Sequence, residues 1–205
     1  MESINQQVWK ALQTDPAIMR DMERKLINTR ALAKYIISKY DMKVSLDAVI
    51  SSIRRFPIEK YQEEESTLKH IFSDSIISTK NNMACITVNM PPNQVFSKLS
   101  TIDLPTMRTT TGAEEVKIVV ENARAEEILK IFKKSNVERG LSEISITVSE
   151  KAIKTKGVMA RIAEELALAN INIHELLVCP PEFLIYVSQK DIVKAHERIM
   201  ALTQS

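Results

Sequence analysis

The first sixty residues repeat apolar positions with the spacing of α-helices. Ile4, Val8 and Leu12 recur every four residues, and therefore share one face of a helix. Polar capping residues open the other helices predicted in this segment: Asp15 followed by Pro16, Asn28 or Thr29, and Ser45. The pattern predicts a small helical domain over residues 1–60, whose last two helices have the spacing of a helix-turn-helix.

The period of the pattern changes after a polar stretch at residues 61–73, which predicts a linker or a connecting helix. Beyond it, runs such as "SEISITV" alternate apolar and polar residues, as half-buried strands do. Strands are predicted to start near Ser75, Met83, Leu104, Glu115, Ser142, Ile171 and Glu182. A turn signal at Asn81-Asn82 separates the first two. The order strand, helix, strand, strand, helix, taken twice, predicts an α+β class with two ferredoxin-like repeats and helices on one face of the sheet, so that only one face is buried.

The stretch "NINIHELLV" leaves a helical run through two asparagines spaced two residues apart. On a strand, Asn170 and Asn172 point to one face while Ile171 and Ile173 point to the other. This arrangement favours an apolar face for the core and a polar face for an interface. Two alternatives remain open: Asn170 is the left-handed residue that ends the helix, and Asn172 is an ordinary solvent-facing strand residue.

Composition limits the chemistry open to the chain. It has 205 residues, 44% of them hydrophobic, and a net charge of +2, so bulk charge does not indicate a strongly basic nucleic-acid binder. The start of the sequence does not resemble a signal peptide, and no apolar run is long enough to span a membrane.

We expect the two cysteines, Cys85 and Cys179, to be buried, reduced thiols of a cytoplasmic protein. Three glycines are too few for a glycine-rich phosphate loop. The three histidines show no catalytic or metal-binding spacing, so no enzyme activity, cofactor or metal is expected.

The last third of the chain resembles the ACT domain, a small ligand-sensing module of regulated metabolic enzymes. The matching marks are a strand, a variable loop, "KGV" at the start of a helix and the exit "LALANINI". The glycine of the usual Pro-Gly pair is kept as Gly157, whereas Lys156 replaces the proline. Residues 74–140 look like a second, more divergent copy next to the copy at residues 141–205. The resemblance implies tandem βαββαβ ACT domains similar to the regulatory half of aspartokinase. The whole chain also resembles archaeal proteins of unassigned function with a helix-turn-helix-like start.

The resemblance implies a site at an interface between subunits or domains, where a ligand is held by the helix exit and by the loop before the helix. The candidate ligand-binding residues are Lys156, Gly157, Val158, Asn170, Asn172 and Ile173. An asparagine side chain offers both a donor and an acceptor, and amides at a helix N-terminus favour a carboxylate. The expected ligand is therefore an amino acid, bound by a homodimer.

The strand count implies that the two ACT-like copies interlock. An ACT domain has four strands, whereas only seven are counted for two copies, and the second copy lacks a fourth strand of its own. An unpaired sheet edge invites aggregation. We therefore predict that the strand near Ser75 crosses over and pairs with the second copy, so that the two copies form one cooperative unit.

The helical domain carries candidate nucleic-acid contacts at Arg30, Lys34, Arg54 and Arg55. Its residues 1–60 hold eleven lysines and arginines against seven aspartates and glutamates, a mild excess. Asp47, at the start of the predicted recognition helix, repels phosphate, so a helical protein-interaction or dimerisation domain remains an alternative. We expect a non-enzymatic sensor that signals to DNA. A regulatory subunit that binds an enzyme, and a structural protein with vestigial ACT folds, are the alternatives.

Overall fold

The computed structural model of the chain describes residues 2–100, 102 and 107–204, with the side chains of residues 60–62, 64 and 65 left aside. It divides into two units, Met1–Thr67 and Leu68–Ser205. The division falls inside a helix, α5, which runs over Glu59–Ser73. The stretch predicted as a linker or connecting helix is thus helical throughout.

The first unit contains the four helices that the apolar spacing predicts: α1 (Ile4–Gln13), α2 (Pro16–Glu23), α3 (Thr29–Lys39) and α4 (Leu46–Arg54). The predicted caps are confirmed, because the side chains of Asp15, Asn28 and Ser45 each accept a hydrogen bond from a first-turn amide. The helices enclose an apolar core built around Leu12, Ile36 and Val49. Trp9 Nε1 donates to the Ser52 carbonyl oxygen at 3.0 Å and so ties α1 to α4.

The second unit is built on one antiparallel sheet with the strand order β2-β3-β1-β4-β6-β5. Its strands are β1 (Ile76–Val88), β2 (Arg108–Thr111), β3 (Val116–Glu121), β4 (Asn136–Thr147), β5 (Ile173–Cys179) and β6 (Glu182–Ser188). The helices are α6 (Pro92–Leu99), α7 (Ala125–Ile131), the short α8 (Glu150–Ile153), α9 (Val158–Leu168) and α10 (Ile192–Thr203). Of the strand predicted from Leu104, residues 103–106 lie outside the described residues.

The two strands predicted on either side of Asn81-Asn82 are one continuous strand, so the predicted turn is wrong. The pairing register with β4 shifts between Lys80 and Met83, and Asn82 adopts a left-handed φ of 62°. The buried Ser142 hydroxyl donates to Asn81 Oδ1 at 2.9 Å. The asparagines therefore form a β-bulge, which bends the strand without reversing it.

The predicted crossover of the strand near Ser75 is confirmed. The first half of β1, from Ile76 to Lys80, pairs with Glu143–Thr147 of β4, whereas its second half pairs with β3 and with the start of β4. Strand β4 begins at Asn136 rather than near Ser142, because it too serves both copies. Residues 141–205 thus contribute three strand segments and take a fourth, Ile76–Lys80, from the segment before them.

The helices pack on one face of the sheet and form two apolar clusters, one with α6 and α7 and one with α9 and α10. The opposite face, called the second face below, has an apolar cluster of its own, which includes Met83, Cys85 and Tyr186. The expectation that only one face is buried is therefore wrong. The sheet curls on itself: Lys117 of β3 contacts Glu175 of β5, although three strands separate them in the sheet order.

The two cysteines differ in burial. Cys85 is buried in the second face, as expected, whereas Cys179 is exposed at the end of β5, so the expectation of a buried thiol is wrong there. An edge strand has a neighbouring strand on one side only, which leaves its last residue open to solvent. No helix among the described residues has the length and apolarity needed to cross a bilayer.

Candidate ligand-binding site

The turn before α9 carries the first group of candidate residues. Gly157 is the N-cap of α9 and has a φ of 90°, in the left-handed region that favours glycine. Its carbonyl oxygen accepts from the Arg161 amide at 2.8 Å, which starts the helix. Lys156 is exposed, whereas the Val158 side chain is buried in the core, so Val158 offers only its backbone to a ligand. The first-turn amides of a helix lack partners within the helix and can receive an anion.

A cavity of about 210 Å³ lies beside this turn. Gly157, Val158 and Thr155 line it together with apolar side chains from α8, α9, β5 and β6. Three of these apolar side chains, Ile153, Met159 and Val178, are exposed. The cavity thus combines orphan amides with an apolar wall that remains open to solvent.

The exit from α9 carries the second group of candidate residues. Asn170 has a φ of 57°, its amide donates to the Ala167 carbonyl oxygen, and the Ile171 amide donates to the Leu166 carbonyl oxygen. This is the Schellman ending of a helix, so Asn170 is not on a strand and the expected strand geometry is wrong for it. Asn172 is exposed, while Ile173 opens β5 and packs against the core.

The two groups lie at opposite ends of α9. The helix has 11 residues, which corresponds to roughly 16 Å at about 1.5 Å per residue. The cavity beside Gly157 is not lined by Asn170 or Asn172. One small molecule therefore does not contact both groups within one chain, and a shared site requires a second copy.

The four candidate nucleic-acid residues are all exposed in the first unit. Arg30 and Lys34 are four residues apart on α3, and so lie on one side of it. Arg54 ends α4 and Arg55 is its C-cap, where a positive charge also stabilises the helix dipole. Asp47 is exposed in the first turn of α4.

The second face of the sheet gathers charged residues that the sequence pattern did not single out. Glu143 is 6% exposed and accepts a hydrogen bond from the buried Tyr186 hydroxyl, and Arg108 Nε lies 3.7 Å from Glu143 Oε2. Burial and this hydrogen bond raise the pKa of Tyr186. Strand alternation indicates only that Glu143 points away from Ile144. The curl that buries it depends on distant strands and leaves no local signal.

His174 and Glu175 also reach partners on this face. His174 Nδ1 lies 2.7 Å from Glu138 Oε1, and Glu175 is paired with Lys117, whose pKa is raised by the Glu175 hydrogen bond. Regular strand alternation would put these neighbours on opposite faces. The register between β5 and β6 shifts between Ile173 and Glu175, so both side chains reach partners on the second face. Burial, and secondarily Glu175, raise the pKa of the Cys85 thiol to about 11.

Comparisons with known proteins identify the fold. No protein-family model matches the chain, and no curated protein matches it at a significant level. Among solved structures, the aspartate kinase of Clostridium acetobutylicum matches with 19% identity and a TM-score of 0.54, over 62% of this chain and 34% of the kinase. The chain thus corresponds to about a third of that enzyme.

Two smaller proteins match over almost their whole length. The regulatory subunit of aspartate kinase from Thermus thermophilus has 14% identity and a TM-score of 0.53, over 62% of this chain and 95% of that subunit. A putative C-terminal regulatory domain of aspartate kinase from Porphyromonas gingivalis has 14% identity and a TM-score of 0.51, over 64% and 98%. The resemblance to ACT-domain regulatory regions is confirmed at the level of the fold: this chain contains a mixed α/β fold similar to that of aspartate kinase regulatory regions.

Proposed function

We propose that the chain is a non-enzymatic regulatory protein that senses an amino acid through its α/β unit and transmits the bound state through its helical unit. The observation that carries the proposal is the cavity at the start of α9 in a fold similar to regulatory regions of aspartate kinases. Its orphan amides suit a carboxylate, and its apolar wall suits a side chain.

The proposed site is shared by two copies of the chain. Lys156, Gly157 and the Val158 amide of one copy receive the carboxylate. The partner copy contributes Asn172 and the helix exit formed by Asn170 and Ile173. The exposed Asn172 amide supplies both a donor and an acceptor, which matches the ammonium and carboxylate of an amino acid. The length of α9 supports a second copy, since one chain does not bring both ends together.

A thermal-shift screen of the full chain against the proteinogenic amino acids tests this site. A ligand at a hundred times its dissociation constant adds about 2.7 kcal/mol to the free energy of unfolding. Asn172→Ala should abolish the shift without lowering stability in the absence of ligand. Asn136→Ala, a change of another exposed asparagine in the same unit, should preserve the shift. An unchanged shift in Asn172→Ala would refute the assignment.

We propose that the helical unit signals to DNA through Arg30, Lys34, Arg54 and Arg55. Charge reversal of Arg54 and Arg55 to glutamate should remove salt-sensitive binding of duplex DNA in a gel-shift assay. The same reversal at the exposed Lys133 and Lys134 of the second unit serves as the matched control and should leave binding unchanged. Absence of duplex binding by the native protein at low salt would refute this output.

A protein partner is the second candidate for the output. The exposed Asp47 at the start of α4 disfavours phosphate contact, and Leu26 is 70% exposed, with Tyr35 and Tyr40 also exposed on the same unit. Apolar side chains of this kind suit a protein surface better than a phosphate backbone. Loss of partner binding in Leu26→Ser, with DNA binding absent from the native protein, would support this alternative.

A further inference from the structure

A cleft of about 630 Å³ lies between the two edge strands of the sheet, β2 and β5. Residues 108–110 of β2 form one wall, and residues 176–179 of β5 with two residues of β6 form the other. Its volume falls in the range of small-molecule sites, about 300–1,000 Å³. It shares only Val178 with the cavity at the start of α9, so it is a separate place on the molecule.

A buried polar cluster holds Arg108 at this cleft. The Glu143 carboxylate is nearly inaccessible, and burying a charge is unfavourable unless it is paired and hydrogen-bonded. Tyr186 supplies the hydrogen bond and Arg108 the opposite charge. Arg108 Nε is itself buried and donates to no described residue, while a third of the side chain remains exposed along the cleft. Since a guanidinium has five N–H donors in a planar fork, Arg108 retains capacity to bind a carboxylate.

The other end of the cleft carries an acid. Glu182 lines the cleft, and none of the described residues forms an ion pair with it. Glu143 is opposite Tyr186 in the β4–β6 register, and Glu182 lies four residues before Tyr186 on β6. The backbone positions of Glu182 and Tyr186 are therefore roughly 13 Å apart along the strand, and the reach of the side chains shortens the distance between the charged groups. Leu184 and Leu177, opposite each other in the β5–β6 register, lie between the two ends.

We infer that the cleft is a second ligand site, for a zwitterion whose carboxylate and ammonium are separated by an aliphatic chain. Arg108 binds the carboxylate, Glu182 binds the ammonium, and Leu177 and Leu184 contact the methylene groups. The formal charges of Arg108, Glu143 and Glu182 sum to −1. Binding of a simple carboxylate makes this net charge more negative, whereas binding of a zwitterion leaves it unchanged. The inference rests on the ligand-sensing role proposed above, but on none of the residues assigned to the site at α9.

Calorimetric titration of the full chain with glycine, 4-aminobutanoate, 6-aminohexanoate and 8-aminooctanoate tests the spacing of the charges. Hexanoate and hexylamine are the controls that carry one charge each. We expect the six- or eight-carbon zwitterion to bind at least tenfold more tightly than glycine and than either control. Equal affinity for hexanoate and 6-aminohexanoate, or no binding by any member of the series, overturns the inference.

Two substitutions test the residues. Glu182→Gln should weaken the longer zwitterions at least tenfold, and it leaves the Glu143–Tyr186 pair in place. Arg108→Lys keeps the charge near Glu143 but removes the planar fork, and should also weaken binding. Binding that is unaffected by Glu182→Gln overturns the inference even if Arg108→Lys unfolds the protein.

The two proposed sites fail independently. Loss of the amino-acid shift in Asn172→Ala, with 6-aminohexanoate binding unaffected by Glu182→Gln, supports the site at α9 and overturns the cleft. Loss of 6-aminohexanoate binding in Glu182→Gln, with the amino-acid shift unchanged in Asn172→Ala, supports the cleft and overturns the site at α9.

Discussion

Replacing Tyr186 with phenylalanine removes the hydrogen bond to the buried Glu143 and no other interaction of comparable strength. Among the described residues no other donor hydrogen-bonds Glu143, because Arg108 Nε lies 3.7 Å away without forming a hydrogen bond. A hydrogen bond to a charged group contributes about 1.5–3 kcal/mol. The ring keeps its place in the second-face cluster with Met83 and Leu184, so little packing is lost. We therefore expect Tyr186→Phe to lower the free energy of unfolding of the second unit by about 2 kcal/mol.

Urea denaturation resolves this change, because the two units have different probes. Trp9 is the only tryptophan and lies in the first unit, so its fluorescence follows that unit, while far-ultraviolet circular dichroism follows both. With an m-value of about 2 kcal/mol per molar urea, the dichroism midpoint of the second unit should fall by roughly 1 M and the fluorescence midpoint should stay. Tyr35→Phe, which removes an exposed hydrogen bond to Lys39, is the control and should change either midpoint little.

The dependence of stability on pH above 10 provides a second test of the role of Tyr186. The pKa of Tyr186 is raised above its ordinary value of 10.0 by burial and then by the Glu143 hydrogen bond. A raised pKa in the folded state gives stability that is present below pH 10 and is lost as the pH rises above it. Above pH 10 the native protein should therefore lose stability more steeply than Tyr186→Phe. A urea midpoint unchanged by the substitution, with parallel alkaline curves, would show that Glu143 is hydrated and would refute the reasoning.

The remaining predictions concern the thiols, the glycines and the shared strands. Ellman's reagent should label the exposed Cys179 quickly and Cys85 only on unfolding. Because the Cys85 pKa is raised from 9.0 to about 11, its contribution to stability should fall by about 1.4 kcal/mol per pH unit between pH 9 and 11. A Cys85→Ala variant with an equally steep decline would contradict this. Gly157→Ala and Gly140→Ala both force a side chain into positive φ, 90° and 72°, and each should cost about 1–2 kcal/mol in chemical denaturation. Only Gly157→Ala should also lose the amino-acid response, and an equal loss in both would point to a general effect of instability. Cutting the chain between Lys134 and Leu141 should leave neither half folded, because β1 pairs with both halves of β4. A dispersed, cooperative spectrum from residues 141–205 as a monomer would refute the interlock.

Local signals predicted the helical unit well, because its helices are determined by near neighbours. Asp15, Asn28 and Ser45 cap the helices as their side-chain chemistry requires, and Val8 and Leu12 face the core as their spacing indicates. The crossover of β1 was also predictable, since counting strands against a four-strand repeat leaves one strand for the other copy.

The remaining features depend on contacts that are distant in sequence. Asn81 and Asn82 suit a turn as well as a bulge, and only the pairing of both strand halves with β4 decides between them. Glu143 occupies an outward position by alternation, yet the curl of the sheet buries it beside Tyr186. For Asn170 the sequence leaves a strand residue and a left-handed helix-ending residue as alternatives, and the structure has the second, with a φ of 57°. The sequence names a loop and a helix exit as one site, whereas the fold separates them by the length of α9, so that only the loop lines the cavity.

The sharing of β1 between the two copies also constrains the order in which the chain folds. Ile76 pairs with Thr147, and at about 5–20 residues per second the ribosome needs roughly 4–14 s to make the intervening segment. During that time the first half of β1 has no β4 to pair with. Strand β3, which pairs with the second half of β1, is synthesised earlier. Pairing between segments so far apart in sequence also slows folding, because the loop must close before the contact stabilises it. We expect the nascent chain to pass through a state with the first copy partly assembled and an open strand edge at Ile76–Lys80. In that state a second nascent chain competes with the protein's own β4 for the edge, so exchange of β4 between neighbouring copies is the misfolding route that this topology favours.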